Sequence, residues 1–121
     1  MKFTRIFTGD DEKSHFQDDL LNLNDAEIGK ITTPLEVSNL IFGEIENINE
    51  ITWHNPPCRQ FIVMLEGAME IEIGDGSKKV FNIGDILLAE DTTGQGHVTR
   101  AASSGKRKYM VIPLKHNLEI K

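Results

Sequence analysis

Short apolar runs that alternate with turn-forming residues are the feature that most constrains the fold of this chain. From about Val37 onward these runs are rich in β-branched and aromatic residues, and none continues with helical spacing. The runs are NLIFGEIE, QFIVML, AMEIEIG, KKVFNI, DILLAE, HVTRAA and KYMVIPL. The pattern predicts about seven strands in an all-β sandwich or barrel.

The chain divides into two regions of different composition. Residues 1–36 are polar and rich in turn-forming residues, which predicts N-terminal strands and loops that pack on a core made elsewhere. Residues 37–121 carry the β-rich runs and are predicted to form the barrel itself. A chain of 121 residues is the size of one domain, so we expect a single domain overall.

Glycines mark the turns between the predicted strands. In MEIEIGDGSKKVF, Met69, Ile71 and Ile73 alternate with glutamates, and GDG at 74–76 supplies the positive φ angles of a tight hairpin. Gly84-Asp85 repeats this pattern before a more apolar strand. The loop DTTGQGH holds two glycines, which allow the backbone to approach another group closely just before His97.

Composition and charge exclude several classes of partner. The formal net charge is −6 and no run of basic residues could neutralise phosphates, so nucleic acid is not expected as a partner. The single cysteine, Cys58, excludes an internal disulfide. The N-terminus lacks the apolar core of a signal peptide, and the longest apolar run, at 61–65, is far below the roughly 20 residues of a membrane span. We therefore expect a cytoplasmic protein with no membrane partner.

One face of the predicted strand QFIVML carries a polar residue beside apolar ones. Period-2 alternation places Gln60, Ile62 and Met64 on the same face. If the alternation continues back through the two intervening prolines, His54 lies on that face too, and His97 on a later strand can approach both. Imidazole nitrogens are good ligands for transition metals, whereas a glutamine oxygen is a weaker, neutral one. His54, Gln60 and His97 are therefore a candidate metal site.

Two long motifs resemble those of a known superfamily. WHNPPCRQFIVMLEGAMEI followed by FNIGDILLAEDTTGQGHVTR resembles the paired signature motifs of the cupins. The resemblance is to small, single-domain, mostly uncharacterised cupins with an EDTTGxGHxTR-type second motif. It covers roughly residues 40–113, and SHF at 14–16 also fits the group. It implies a cupin-type double-stranded β-helix, which is a small antiparallel β-barrel, and a homodimer.

The resemblance also implies which residues occupy the metal-ligand positions of the family. His54 stands at the first histidine position, Pro56 at the second, Gln60 at the glutamate position and His97 at the last histidine position. Two histidines and a glutamine bring no negative charge to a divalent cation, so its affinity is expected to fall. Zn, Fe, Ni or Mn are the ions considered.

Three further side chains are candidate additions to this reduced set. Glu90 or Asp91 restores a carboxylate if the second-motif loop folds inward, and His15 joins if the N-terminal segment carries it to the site.

The first functional hypothesis is a small cupin of unassigned activity, with a polar pocket that holds a divalent transition metal and a small polar molecule. His54 and His97 would be the catalytic residues, with Met64 on the pocket wall. If the chain is an enzyme, the resemblance implies a metal-dependent cupin of the oxygenase or isomerase class. The same fold also hosts proteins without catalysis, so the question of activity stays open at this point.

Two alternatives need no metal. In the first, Arg59 or Arg100 pairs with an anionic or sugar-like ligand, Gln60 hydrogen-bonds it, and a histidine transfers a proton. In the second, the chain is a non-catalytic small-molecule-binding module. The arginines also have a structural interpretation, as ion pairs with the carboxylates of EDTTG, and Cys58 has one as a half-buried apolar residue.

Overall fold

A computed structural model describes residues 1–115 and 118–120 as an all-β chain. No helix occurs in these two ranges, which confirms the predicted all-β class. The strands are β1 Lys2–Thr8, β2 Ser14–Leu20, β3 Asn24–Asp25, β4 Lys30–Ile31, β5 Ile41–Ile45, β6 Glu50–His54, β7 Gln60–Glu66, β8 Met69–Glu72, β9 Lys78–Phe81, β10 Ile86–Ala89, β11 His97–Ala101 and β12 Arg107–Pro113.

Strands β5 to β12 form two facing sheets of four strands each. The first has the order β5-β12-β7-β10 and the second the order β6-β11-β8-β9, so the chain passes repeatedly between the sheets. This eight-stranded, two-sheet jelly roll is the arrangement of cupins. The predicted cupin-type double-stranded β-helix is therefore confirmed by the strand order. β1 and β2 extend the first sheet, because β1 pairs in parallel with β10 and β2 pairs with β1.

The main core lies between the two sheets. Its buried members include Ile6 from β1, Met64 from β7, Ile71 from β8 and Leu87 from β10. The alternation predicted around the β8–β9 hairpin is confirmed, since Met69, Ile71 and Ile73 are buried while the glutamates between them are half-buried. Burying apolar surface contributes about 25 cal/mol of free energy for each Å². Because each strand buries one face, a shift of one residue would expose its apolar side chains, and this fixes the register of the sheets.

A second apolar cluster covers the outer face of the first sheet. Phe3, Phe61, Leu88 and Leu114 are buried there, and the C-terminal Leu118 packs against them. The chain therefore covers the first sheet on both faces, except at the edge strand β5, where Ile41 and Phe42 are exposed.

Strand β6 is absent from the runs predicted by sequence, although the structure has it as a full strand. Its five residues are exposed or half-buried, and it lies at the edge of the second sheet. A strand with little buried apolar surface lacks the pattern on which the prediction depends.

The N-terminal strands β1 and β2, at seven residues each, are long and fully paired. Over the same described ranges, we find no helix that meets the length and hydropathy of a membrane span.

Candidate functional site

The three predicted metal ligands line one cavity inside the barrel. His54, Gln60 and His97 contribute to the wall of a space of about 230 Å³ between the two sheets. His97 on β11 is the cross-strand partner of His54 on β6, and Gln60 at the start of β7 faces Ala89 at the end of β10. The register of these four strands therefore brings the three polar side chains to the same end of the barrel.

The rest of the cavity wall is mainly apolar. No Lys, Arg, Asp or Glu occurs among the described residues that line it. Pro56, at the position where the cupin resemblance places a histidine, is one of the lining residues. The cavity thus has a polar end and a hydrocarbon wall, the latter built by Ile45, Ile51, Ile62, Ile71, Tyr109 and Val111.

A bulge in β6 turns His54 toward the cavity. Between the pairs His97–His54 and Thr99–Ile51, β11 advances by two residues and β6 by three. The extra residue of the bulge shifts the inward-outward alternation of side chains by one position. Ile51 and His54 therefore both line the cavity, although they are three residues apart. Simple alternation along β6 would have placed these two side chains on opposite faces.

Hydrogen bonds at Nδ1 set the orientation of both imidazole rings. Nδ1 of His54 lies 2.7 Å from the carbonyl oxygen of Thr52, and Nδ1 of His97 lies 2.6 Å from Oδ2 of Asp91. Because a carbonyl and a carboxylate accept, we assign the proton to Nδ1 in both rings. Nε2 is then the unprotonated nitrogen that each ring presents to the cavity. The ring centroids are 4.6 Å apart with an angle of 62° between the planes.

Asp91 is the buried carboxylate behind His97. Its exposed fraction is 0%, and its Oδ2 atom accepts hydrogen bonds from Ser14 Oγ at 2.7 Å and from His97 Nδ1. Oδ1 of the same carboxylate is buried without a partner among the described residues. The carboxylate thus supports His97 from outside the cavity and takes no place in the cavity wall.

The loop before His97 is tied to the end of β6. Nδ2 of Asn55 donates to the carbonyl oxygens of Asp91, Thr93 and Gly94 at 2.9, 3.0 and 3.3 Å. Gly96 has a φ of 74°, and a Cβ atom there would overlap the carbonyl group of His54. The predicted close approach of this loop is therefore confirmed, and it holds the segments that carry the two histidines together.

The turn between β1 and β2 clamps the same loop from the other side. The backbone N–H of Gln95 donates to the carbonyl oxygen of Glu12 at 2.9 Å, and Oγ1 of Thr8 donates to the carbonyl oxygen of Thr93 at 2.9 Å. Ser14, at the start of β2, completes the clamp through Asp91. The N-terminal segment thereby supports the site, through the side chains of Thr8 and Ser14.

His15 does not reach the cavity, so the structure does not add it to the reduced set of candidate ligands. Its Nε2 atom lies 2.9 Å from Oδ1 of Asp11, and its side chain is 40% exposed. The hydrogen bond from His15 lowers the pKa of the Asp11 carboxyl. Alternation along β2 explains the difference, because Ser14 points inward and the next residue points away.

Glu90 lies on the outer face of the first sheet, so the structure does not add it to the reduced set either. Its carboxylate accepts from Arg5 Nε at 2.7 Å and from Arg59 Nε at 2.8 Å. The structure therefore does not bring Arg59 to the cavity, because the residue before the inward Gln60 must point outward. The ion pair between Arg59 and the EDTTG segment matches the structural interpretation of this arginine.

Arg100 lies on the outer face of the second sheet. Its guanidinium group contacts Glu50 at 2.7 Å, Glu72 at 2.6 Å and Glu70 at 3.5 Å. The hydrogen bonds that it donates to Glu72 and, second, to Glu50 raise its pKa. These partners differ from the EDTTG carboxylates that the sequence suggested. The structure does not bring Arg100 to the cavity.

Met64 belongs to the core between the sheets. Its exposed fraction is 2%, and it lies two residues beyond Ile62 on the inward face of β7. The position is on the predicted face but deeper than the cavity, where its side chain fills space between the sheets.

The donor set of the cavity fits a metal ion through its imidazoles and lacks a carboxylate. No cluster of three or more His, Cys, Asp or Glu side chains able to hold a metal occurs in the part of the chain that the structure describes. The two Nε2 atoms and the Gln60 amide oxygen are the donors available. Each imidazole has its other nitrogen bonded to an oxygen acceptor, as metal-bound histidines in proteins do. The set thus fits a divalent transition ion held without charge compensation.

Sequence reasoning missed Ser14 and Asn55. Ser14 is within the SHF segment, and a serine before a histidine could have drawn attention as a hydrogen-bonding residue, but its partner is 77 positions away. Asn55 follows His54 directly, and an asparagine before two prolines is a recognisable loop-organising residue.

Comparisons with solved structures give partial likenesses in fold, including the two that follow. No family model matches the chain, and no curated protein matches it. The protein NMB1881 from Neisseria meningitidis is 19% identical over 68% of this chain and 84% of its own, with a TM-score of 0.49. A cupin-2 domain containing protein from Shewanella frigidimarina is 20% identical over 66% of this chain and 74% of its own, also with a TM-score of 0.49. The strand order of the chain itself assigns it the cupin-type double-stranded β-helix fold.

Proposed function

We propose that this chain is a small-molecule-binding cupin whose barrel cavity holds a divalent transition-metal ion through His54, Gln60 and His97. The observation that carries the proposal is the orientation of the two imidazoles. Both have Nδ1 bonded to an oxygen acceptor, so both direct an unprotonated Nε2 to the same end of the cavity.

Each residue around this end has a separate task. Asp91 holds the His97 ring in one tautomer, the Thr52 carbonyl does the same for His54, and the Gln60 amide adds an oxygen donor. The apolar wall keeps bulk water away from the polar end. A bound divalent ion would supply a Lewis acid that polarises an oxygen atom of the bound molecule. Oxygen-dependent chemistry and isomerisation are the reaction classes to test.

The neutral donor set predicts modest affinity for the ion. No carboxylate faces the cavity among the described residues, so the charge of a divalent ion there is compensated only at a distance, through Asp91 behind His97. Zn, Fe, Ni and Mn are the ions to compare, because imidazole and amide donors accept all four.

A metal-free proton transfer is the second candidate function. It is favoured by the buried contact of 2.6 Å between Asp91 and His97, which orients Nε2 as a general base in the way that a carboxylate orients the histidine of a hydrolase triad. In this form of the hypothesis, neither Arg59 nor Arg100 holds the ligand, because both guanidinium groups are paired on outer faces. A binding module without turnover is the third candidate.

Metal analysis of variants tests the proposal. We expect untagged protein purified without chelator to take up one of the ions Zn, Fe, Ni and Mn on reconstitution, with loss of the metal in His54→Ala and His97→Ala and retention in His15→Ala. His15 is the matched control, since it is a histidine bonded to an aspartate outside the cavity. Mass spectrometry with inductively coupled plasma gives the metal content.

Two outcomes would contradict the proposal. One is wild-type protein that takes up none of Zn, Fe, Ni or Mn on reconstitution, which leaves the metal-free candidates. The other is metal that persists in both cavity variants, which places the ion elsewhere on the chain. Circular dichroism of each variant checks that the barrel is folded.

Oligomeric state and cellular location stay predictions. The homodimer is supported by strand β5, which lies at the edge of the first sheet and exposes Ile41 and Phe42. Edge strands with exposed apolar residues are commonly covered in proteins. The cytoplasmic location remains an expectation from the sequence.

A further inference from the structure

We infer that the cavity selects a compact, mainly hydrocarbon molecule that carries one oxygen-bearing end group, and that it rejects sugars and multiply charged anions. This inference rests on the proposed function only in taking the cavity as the binding site. It replaces the polar, anionic or sugar-like ligands that the sequence suggested with a narrower chemical class.

The distribution of polar groups along the cavity leads to this class. His54, Gln60 and His97 lie at one end, and Thr99 is the one further hydroxyl-bearing side chain among the lining residues other than Tyr109. A sugar has a hydroxyl group on nearly every carbon. Against isoleucine and valine side chains most of these hydroxyls would lose their hydrogen bonds to water without replacement, which strongly disfavours binding.

The hydroxyl group of Tyr109 does not add a second polar end. In the register of the first sheet Tyr109 faces Gly43, and its phenol oxygen lies over that glycine, where a Cβ atom would overlap it. The hydroxyl group of Tyr109 therefore lies beside the backbone of β5.

The absence of cationic side chains argues against multiply charged anions. No Lys or Arg lines the cavity among the described residues, and the nearest predicted candidates, Arg59 and Arg100, pair with glutamates on outer faces. A metal ion at the histidine pair would compensate charge at that end alone. A second charge at the other end of the ligand would remain buried against hydrocarbon.

The size of the cavity limits the ligand further. A cavity of about 150 Å³ lined by aliphatic and aromatic side chains holds a benzene ring. The 230 Å³ found here therefore accommodates a six-membered ring with roughly two or three additional heavy atoms. Cyclic or branched monoketones, monoaldehydes and monocarboxylic acids have this size and shape.

Titration monitored by NMR tests the inference. We would follow amide shifts of ¹⁵N-labelled protein with 4-methylcyclohexanone, benzaldehyde and benzoate as probes, and with D-glucose and succinate as comparisons, each with and without excess EDTA. The expected result is that at least one of the three probes shifts amides of cavity residues and binds about tenfold or more tightly than D-glucose and succinate.

A matched pair of variants ties the binding to the cavity wall. Ile51→Gln places an amide in the lining at a residue that is 39% exposed, so the fold should tolerate it. Ile83→Gln makes the same change at a residue that is 67% exposed and outside the lining. We expect about threefold to tenfold weaker probe binding in Ile51→Gln and no change in Ile83→Gln.

The outcomes separate this inference from the metal proposal. Tighter binding of D-glucose or succinate, no binding of any of the three probes, or equal effects of the two variants would overturn the inference. Probe binding that persists in EDTA, together with metal-free wild-type protein, would overturn the metal proposal and leave the inference standing. Bound metal in the wild-type protein, with no binding of any of the three probes, would overturn the inference and leave the metal proposal standing.

Discussion

Replacement of Asp91 by asparagine should destabilise the protein far more than the same change at Asp11. Both aspartates bond a histidine, but Asp91 is fully buried and accepts two short hydrogen bonds, whereas Asp11 is exposed. In Asp91→Asn each bond to a carboxylate becomes a bond to a neutral amide, a loss of about 1 kcal/mol apiece. The new NH₂ group at the position of Oδ1, which has no described partner, adds about 1–3 kcal/mol.

The expected total for Asp91→Asn is a loss of about 3–5 kcal/mol in the free energy of unfolding. Urea denaturation at neutral pH, followed by the fluorescence of the single tryptophan, Trp53, measures it. Asp11→Asn should leave the midpoint of the transition nearly unchanged. Equal shifts in the two variants, or a loss below about 0.5 kcal/mol in Asp91→Asn, would refute the reasoning that the buried bonds stabilise the loop.

Two further changes test the loop and the surface charges. Gly76→Ala should destabilise the fold by roughly 1–2 kcal/mol, the cost of an alanine in the left-handed region. Gly96→Ala should destabilise it by more, because a Cβ atom at 96 also overlaps the His54 carbonyl, whereas a Cβ atom at 76 meets nothing. Equal urea midpoints for the two variants would contradict this. The hydrogen bond from Lys79 lowers the pKa of Asp18 from its ordinary 3.8, so the stability contributed by ionised Asp18 is present above that pH and disappears as the pH falls through the folded-state pKa. Asp18→Asn should therefore weaken the loss of stability below about pH 4 in acid titration, and an unaltered acid transition would count against it.

Alternation along strands was enough to predict the direction of most site residues. Once Gln60 is taken as inward, Arg59 must point outward, and the pairing of Gln60 with Ala89 puts Glu90 outward and Asp91 inward. The same alternation continues for two residues past the end of β10, and it decides which of the two carboxylates points inward.

The position of His54 required information that a sequence pattern does not carry. A β-bulge lies between Ile51 and His54, and two prolines separate His54 from β7, so no simple period connects the residue to its neighbours. The contact of Ser14 with Asp91 is similarly inaccessible, because it depends on the parallel pairing of β1 with β10. Long-range pairings of this kind are set by tertiary structure rather than by local propensity.

The N-terminal clamp on the second-motif loop has a consequence for the order in which the chain folds. Thr8 and Thr93 are 85 positions apart and Ser14 and Asp91 are 77 apart, so these contacts close very long loops. Contacts of such high sequence separation form late, because the entropy of loop closure must be overcome before they contribute. During synthesis β1 must wait for its partner β10 until Ile86–Ala89 has been made. The candidate site is therefore completed only when the β1–β2 hairpin and the second-motif loop have come together.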